Sequence, residues 1–319
     1  MAEKKCGCSG IRMCLICEEK RGKIYDDLAN HAFESTNLHF LHFCMNSKNI
    51  LCGPWKFCSC KNGRLHNGDN DMNFYEHTTA DIVNSLSVYI DADDKHDKLQ
   101  QFLKTCNGLL GSQDITVIEN YVTDEEESFM INEMYKMPWK LSQSGRRKQD
   151  FGPQVNFKRR KLKVGSFTGF PFFLKDVVLK MKTFKELDNF DPVEVCHLEY
   201  SSERGSAIDP HIDDTWLWGE RLVTLSLLSS SILTLQNDEL PEIAIQIPMP
   251  RCSLLVLQGQ ARNNWKHSVR REDISNKRIA VTFRELSENF SKGSQHIMGK
   301  EVLKVANNFD GKPLFEDKE

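Results

Sequence analysis

The C-terminal two thirds of the chain is a succession of short apolar runs. VEVCHLEY, RLVTLSLL, SILTLQ, IAIQIPM, SLLVLQG and RIAVTF are rich in Val, Ile, Leu and Thr, and Gly, Pro, Ser, Asn or Asp separates them. Runs of this length predict strands. No helical pattern lies between each pair, so an antiparallel sandwich or barrel is expected and a parallel doubly wound sheet is not. Upstream, DITVIENYV alternates as a strand. Thr123 with Glu126 three residues later reads as a capping box, opening a helix whose first turn carries Asp124, Glu125, Glu126 and Glu127. Pro138 should end that helix.

Residues 1–110 show no sustained period of either kind. The pattern therefore divides the chain into a Cys-rich tip over 1–24, an irregular or partly disordered extension over 25–110, and one folded domain over 111–319. Asp91, Asp93, Asp94 and Asp97 make an acidic, linker-like stretch within the extension.

Composition changes this picture little. The chain has 319 residues, 39% hydrophobic and 27% charged, with a formal net charge of -3, which excludes a global attraction to nucleic acid or to a membrane surface. The N-terminus lacks the apolar core of a signal peptide and no run is long enough to span a bilayer, so an intracellular protein of cytoplasm and nucleus is expected. Eight of the 11 cysteines fall in the first 60 residues, and in a reducing compartment such crowding points to metal binding or free thiols rather than disulfides. Cys6, Cys8, Cys14 and Cys17 have the spacing C-x-C-x5-C-x2-C. Four thiolates suffice for tetrahedral zinc, with reducible free thiols as the alternative. Cys52, Cys58, Cys60 and His66 form a second, weaker candidate set.

Candidate chemistry lies among the strands. His211-Ile212-Asp213 sets two ligand-type side chains two residues apart, and at a strand end both face the same way. His267, after SLLVLQGQARNNWK, would complete two imidazoles and one carboxylate, the set that leaves adjacent positions open on a non-haem iron. In RIAVTFR, Arg278 and Arg284 fall on one face of a strand, and a guanidinium fork suits a dicarboxylate.

Together, HID, the distant histidine and R-x5-R resemble the signature of the AlkB family of oxidative demethylases. SQSGRRKQDFGPQVNF, ERGSAIDPHIDDTWLWGERLVTLSLLS, WKHSVRR and the N-terminal CGCSGIRMCLIC are similar to the family as well, so the likeness covers about 111–310 and the first 20 residues. It implies a mainly β fold with flanking helices, a double-stranded β-helix or jelly roll. It also implies Fe(II) held by His211, Asp213 and His267, 2-oxoglutarate held by Arg278, Arg284 and Tyr200, dioxygen as oxidant, and release of formaldehyde, succinate and CO2. There are two departures. Leu198 stands where the family often has an Asn that bonds the cosubstrate, and Thr215 where nucleic-acid repair members often carry an acid.

The substrate must be read from the rim. Ser142 to Lys163 contains eight basic residues, Arg146, Arg147, Lys148, Lys158, Arg159, Arg160, Lys161 and Lys163, against one acid, Asp150. That charge suits phosphates or an acidic protein surface equally. Arg146, Arg147, Asp150 and Phe151, with Asp214 and Trp216 after the HID motif, are the candidate substrate contacts; a carboxylate with aromatic rings suits a lysine ammonium. The resemblance implies methyl-lysine in actin as substrate, with N6-methyladenine in DNA as the alternative. A non-catalytic adaptor that uses barrel and thiols for binding is the contrasting reading.

Overall fold

The computed structural model describes residues 7–8, 14–21, 39–45, 47–51 and 104–314. Two sheets enclose a barrel. One has the order β2 (Asn49–Leu51), β1 (His39–Cys44), β12 (Leu240–Met249), β11 (Ser231–Asn237), β14 (Lys266–Val269), β9 (Ile208–His211). The other runs β3 (Ile115–Ile118), β13 (Leu254–Leu257), β10 (Trp218–Leu227), β15 (Arg278–Leu286), β8 (Pro192–Tyr200), β5 (Arg147–Phe151), β4 (Lys140–Leu141). A separate hairpin joins β6 (Gln154–Asn156) to β7 (Lys161–Lys163). The described pairings are antiparallel except β1 on β12, and the architecture is the expected jelly roll with flanking helices.

The apolar runs are nearly continuous because the second sheet is buried on both faces. On β8, Cys196, Leu198 and Tyr200 face the core between the sheets, with Leu41, Leu235 and Ile245 from the other sheet. Val193 and Val195 face a second core, completed by Met130 and Met134 of the Asp124–Lys136 helix, Val177, Val178 and Met181 of the Lys175–Met181 helix, and Val302 and Ala306 of the His296–Ala306 helix. On β15, Ile279, Val281 and Phe283 join that second core, so Arg278, Ala280, Thr282 and Arg284 turn inward between the sheets. Both arginines of R-x5-R thus point into the barrel. The capping box forms as expected: Glu126 N–H donates to Thr123 Oγ1 at 3.2 Å and Thr123 N–H to Glu126 Oε2 at 2.8 Å, and the helix is capped by Met137, before Pro138.

The extension is not irregular throughout. His39–Cys44 adds to the edge of β12 in parallel, with His42 opposite Gln246, Asn49–Leu51 folds back on it, and residues 104–109 form a short helix. Leu41 and Phe43 face the inter-sheet core while His42 and Cys44 are buried on the opposite side. A strand covered on both faces by Phe, Leu, His and Cys has no polar side to create a period of two, which is why HFLHFC does not read as a strand. Cys6, Cys52, Cys58, Cys60 and His66 lie outside the described residues. Among the described residues no helix is long and apolar enough to cross a membrane.

One buried acid gives the barrel a pH-dependent stability. The Asp273 side chain is fully enclosed, neither of its carboxylate oxygens meets a hydrogen-bond donor among the described residues, and the nearest cation there is Arg270 Nε at 4.0 Å. Burial pushes its carboxyl up to about 7. A carboxyl raised on folding favours the native state fully below its unfolded value and loses that contribution as pH rises through the folded one. Between pH 4 and 8 the loss is at most about 4 kcal/mol. Asp273→Asn should therefore flatten the fall in urea midpoint between pH 5 and pH 8; an undiminished fall would exonerate Asp273.

Candidate metal and cosubstrate site

The two histidines meet because their strands do. His211 ends β9 directly opposite His267 on β14, and their ring centroids are 4.3 Å apart. The Asp209 carbonyl lies 2.7 Å from His211 Nδ1; since a carbonyl only accepts, Nδ1 carries a proton and Nε2 is the nitrogen turned toward Asp213. Asp213, two residues past the strand end, places Oδ1 3.4 Å from that Nε2. One potential ligand atom from each of His211, Asp213 and His267 lies within 4.8 Å of the others. Burial, with the His211 ring beside it, pushes the His267 imidazole down to about 3, so it is neutral at physiological pH, and its Nδ1 has no partner among the described residues. Burial raises the Asp213 carboxyl, but Arg284 and the two imidazoles outweigh it and hold the group well below the usual carboxylate range. Two imidazoles and a carboxylate are the donor set of an Fe(II) site.

Arg284 also orients protein carboxylates: its Nε donates to Asp213 Oδ2 at 2.7 Å and its Nη1 to Glu194 Oε2 at 2.6 Å. Glu194 faces Arg284 in register across β8 and β15. Sequence reasoning missed Glu194; the signal was strand parity, since an inward Arg284 needs an inward acid opposite it. It also missed Arg262, fully buried, whose Nη1 donates to the Asp213 carbonyl at 3.1 Å and holds the loop from behind. Groups that orient a ligand carboxylate typically contribute about 10- to 100-fold in metal affinity. Arg284→Gln should lower Fe(II) affinity by about that factor. Unchanged affinity in a calorimetric titration would mean that Asp213 needs no such support.

Deeper in the barrel, Arg278 is 1% exposed and lies opposite Tyr200, its guanidinium 5.3 Å from that ring. Nη2 reaches Ser226 Oγ at 3.2 Å and Met249 Sδ at 3.4 Å, while Nε and Nη1 have no partner among the described residues. A buried cation with two unpaired donors is costly unless an anion meets it. A carboxylate of 2-oxoglutarate fits those donors, and Arg278 with Tyr200 and Ser226 would hold it. Leu198, without a polar group, lines the same core.

The six proposed substrate contacts separate. Strand parity on β5 sends Arg147 and Phe151 away from the barrel: Arg147 makes a two-pronged bond to buried Glu199, Nε to Oε1 and Nη2 to Oε2, both 2.7 Å, and Phe151 is fully buried against the His197 ring at 5.1 Å. Neither is at the rim. Arg146 is also buried, its guanidinium 5.8 Å from the Tyr200 ring, which puts it beside the cosubstrate residues rather than on the surface. Asp150 faces the mouth, paired with Lys148 at 2.8 Å and bonded by Cys196 Sγ at 3.2 Å. Asp214 is exposed, and half-buried Trp216 meets exposed Phe157 edge to face, centroids 6.3 Å apart at 83°. The run of positive charge thus splits into three paired or buried groups and an exposed cluster, Lys158, Arg159, Arg160, Lys161 and Lys163, on the β6–β7 hairpin beside Phe157.

Cys8, Cys14 and Cys17 converge, their sulfurs within 4.8 Å, as reduced thiols. Cys14 is fully buried, its Sγ 3.9 Å from Cys17 Sγ, and its carbonyl accepts from the N–H groups of Cys17 and Glu18.

Comparison with known proteins places this geometry. A family model described as the 2OG-Fe(II) oxygenase superfamily matches residues 114–284. The chain is 36% identical to human alpha-ketoglutarate-dependent dioxygenase alkB homolog 4, over 98% of this chain and 96% of that protein, and 36% identical to its mouse counterpart over 98% and 97%. It is 33% identical to a Caenorhabditis elegans protein named DNA N6-methyl adenine demethylase, over 96% of each. The chain belongs to the AlkB family of 2OG-Fe(II) oxygenases.

Proposed function

We propose that this dioxygenase removes N-methyl groups oxidatively from methyl-lysine in protein, with actin the substrate that the sequence resemblance implies. Fe(II), 2-oxoglutarate and dioxygen, when bound, supply the oxidising power that turns an N-methyl C–H into C–OH. His211, Asp213 and His267 hold the metal, and Arg284 and Arg262 fix Asp213. Arg278 would neutralise a carboxylate of the cosubstrate in a buried pocket, where charge pairing is strongest. The N-hydroxymethyl product loses formaldehyde and leaves the free amine, while 2-oxoglutarate leaves as succinate and CO2.

The lining of the mouth carries the substrate assignment. Glu194 and Asp150 lie in one charge cluster with Asp213, and Asp214 is exposed beside them. Asp150 is paired with Lys148 and Glu194 with Arg284, so exposed Asp214 is the carboxylate that would meet an alkylammonium. The rings beside them do not form a base sandwich: Trp216 and Phe157 stand at right angles and touch each other. Thr215 replaces the acid that the resemblance leads one to expect in nucleic-acid repair members. A second reading, N6-methyladenine in DNA, draws on the exposed cations from Lys158 to Lys163 and on the name of the nematode relative.

Zn(II) at Cys8, Cys14 and Cys17, with Cys6 as fourth ligand from the spacing, belongs to this reading, as does work in cytoplasm and nucleus, where a modified actin would be met. Iron-loaded protein should release formaldehyde from a monomethyl-lysine actin peptide, with affinity only weakly dependent on salt. Turnover confined to a methyladenine oligonucleotide, with binding that falls steeply between 50 and 200 mM salt, would give the second reading instead.

A further inference from the structure

The thiol cluster lies against chain segments that lead to and from the metal and cosubstrate residues. A Cβ on Gly7 would lie 2.7 Å from the Leu141 carbonyl carbon, so the tip runs directly along the turn that enters β5. In that turn Gly145, at φ +71, faces Cys14: a Cβ there would lie 3.1 Å from Cys14 Cβ and 2.6 Å from the Arg204 carbonyl oxygen. Ser206 Oγ donates to the Gly145 carbonyl at 2.9 Å, and Ala207 N–H to the Ser144 carbonyl at 3.2 Å. Leu15 covers Gly205, at φ +57, with its Cγ 2.5 Å from where a Cβ would be. Glu18 accepts from both Nη atoms of Arg271, at 2.7 and 3.1 Å.

Each of these segments continues into the site. The 141–146 turn ends in Arg146, over the Tyr200 ring. The 201–206 loop joins Tyr200 to the strand of His211. Arg271 follows His267 by four residues. What holds them together is a helix of seven residues, Leu15–Arg21. So short a helix does not persist on its own propensity. Its first turn is nucleated by Cys14 and Cys17, and a metal bound there would supply the missing free energy.

We propose that zinc bound by Cys8, Cys14 and Cys17 is a positioning clamp, one that sets the 141–146 turn and the 201–206 loop at the spacing that keeps Arg146 and Tyr200 in place beside the cosubstrate; this rests on the zinc reading of the thiols. The clamp reaches Arg146, Tyr200 and the strand of His211 only through the segments it braces, so its loss loosens the hold on the cosubstrate.

The full chain, reconstituted with iron, decides the matter through metal analysis and one activity, 2-oxoglutarate turnover without methylated substrate, read both as kcat and as KM for 2-oxoglutarate. Wild type should carry about one zinc per chain, and Co(II) in its place should show thiolate-to-metal absorption. Cys17→Ser should lose the zinc and raise KM. The double variant Leu15→Ala, Arg271→Ala leaves all thiols intact; it should keep the zinc and the kcat of that turnover and raise the KM for 2-oxoglutarate about tenfold or more, as small misplacements of a bound reactant do. Absence of zinc and of the Co(II) signature in wild type overturns the zinc reading and the clamp together. Zinc present with an unchanged KM in the double variant overturns the clamp alone. If Cys17→Ser fails to fold, the double variant still gives the answer.

Discussion

His267→Ala should abolish 2-oxoglutarate turnover both with and without a methylated substrate, by at least ~10^3-fold, equivalent to about 4 kcal/mol of lost transition-state stabilisation. The effect should be this large because the imidazole offers one of the three converging ligand atoms. It is half-buried in the barrel wall, neutral down to about pH 3, its Nδ1 has no hydrogen-bond partner among the described residues, and it sits opposite His211 and Leu235. Removing it leaves one imidazole and one carboxylate, too few to retain Fe(II) against water. The cavity itself costs a few kcal/mol of stability. Circular dichroism and the urea midpoint should therefore be read alongside activity, and Asp213→Asn, which keeps the volume, should give the same loss without the cavity. A folded His267→Ala protein that still consumes 2-oxoglutarate at the wild-type rate would place the iron elsewhere.

The parts of this site that could be read in the sequence are those that depend on residue type and spacing. His211 and Asp213 are two apart, Arg278 and Arg284 six apart, and a strand period of two by itself turns each spacing into a shared face. The strand runs were legible for the same reason, since the second sheet is buried on both sides and shows as continuous apolar sequence. What could not be read depends on register. Arg146, Arg147 and Lys148 look like one basic patch, yet pairing of β5 with β8 sets Arg147 opposite Glu199 and Lys148 opposite Leu198, so adjacent charges part to opposite faces. Phe151 goes to the helix-side core by the same alternation. That Arg284 also pairs with Glu194, 90 residues away, shows only once β8 and β15 are aligned. The strand at His39–Cys44 was invisible because it is neither amphipathic nor uniformly aliphatic.

Arg278→Met should raise the KM for 2-oxoglutarate by roughly 10^2- to 10^4-fold, the loss of two charge-assisted hydrogen bonds of about 1.5–3 kcal/mol each. It should also move stability in the opposite direction. Without cosubstrate, the wild-type guanidinium is fully buried with Nε and Nη1 unpaired among the described residues, its charge opposed by burial, and only Ser226 and Met249 in contact with Nη2. Methionine fills similar volume without desolvating a charge, and such replacements of buried ions are often neutral or stabilising by about 1–4 kcal/mol. The cosubstrate-free variant should thus melt at or above the wild-type temperature. Added 2-oxoglutarate should raise the melting temperature of wild type, by linkage of binding to folding, and leave the variant unmoved. The two readouts together separate a cosubstrate cation from a structural one. If Arg278 only braced the barrel, its loss would lower the melting temperature and leave the ligand-induced rise intact.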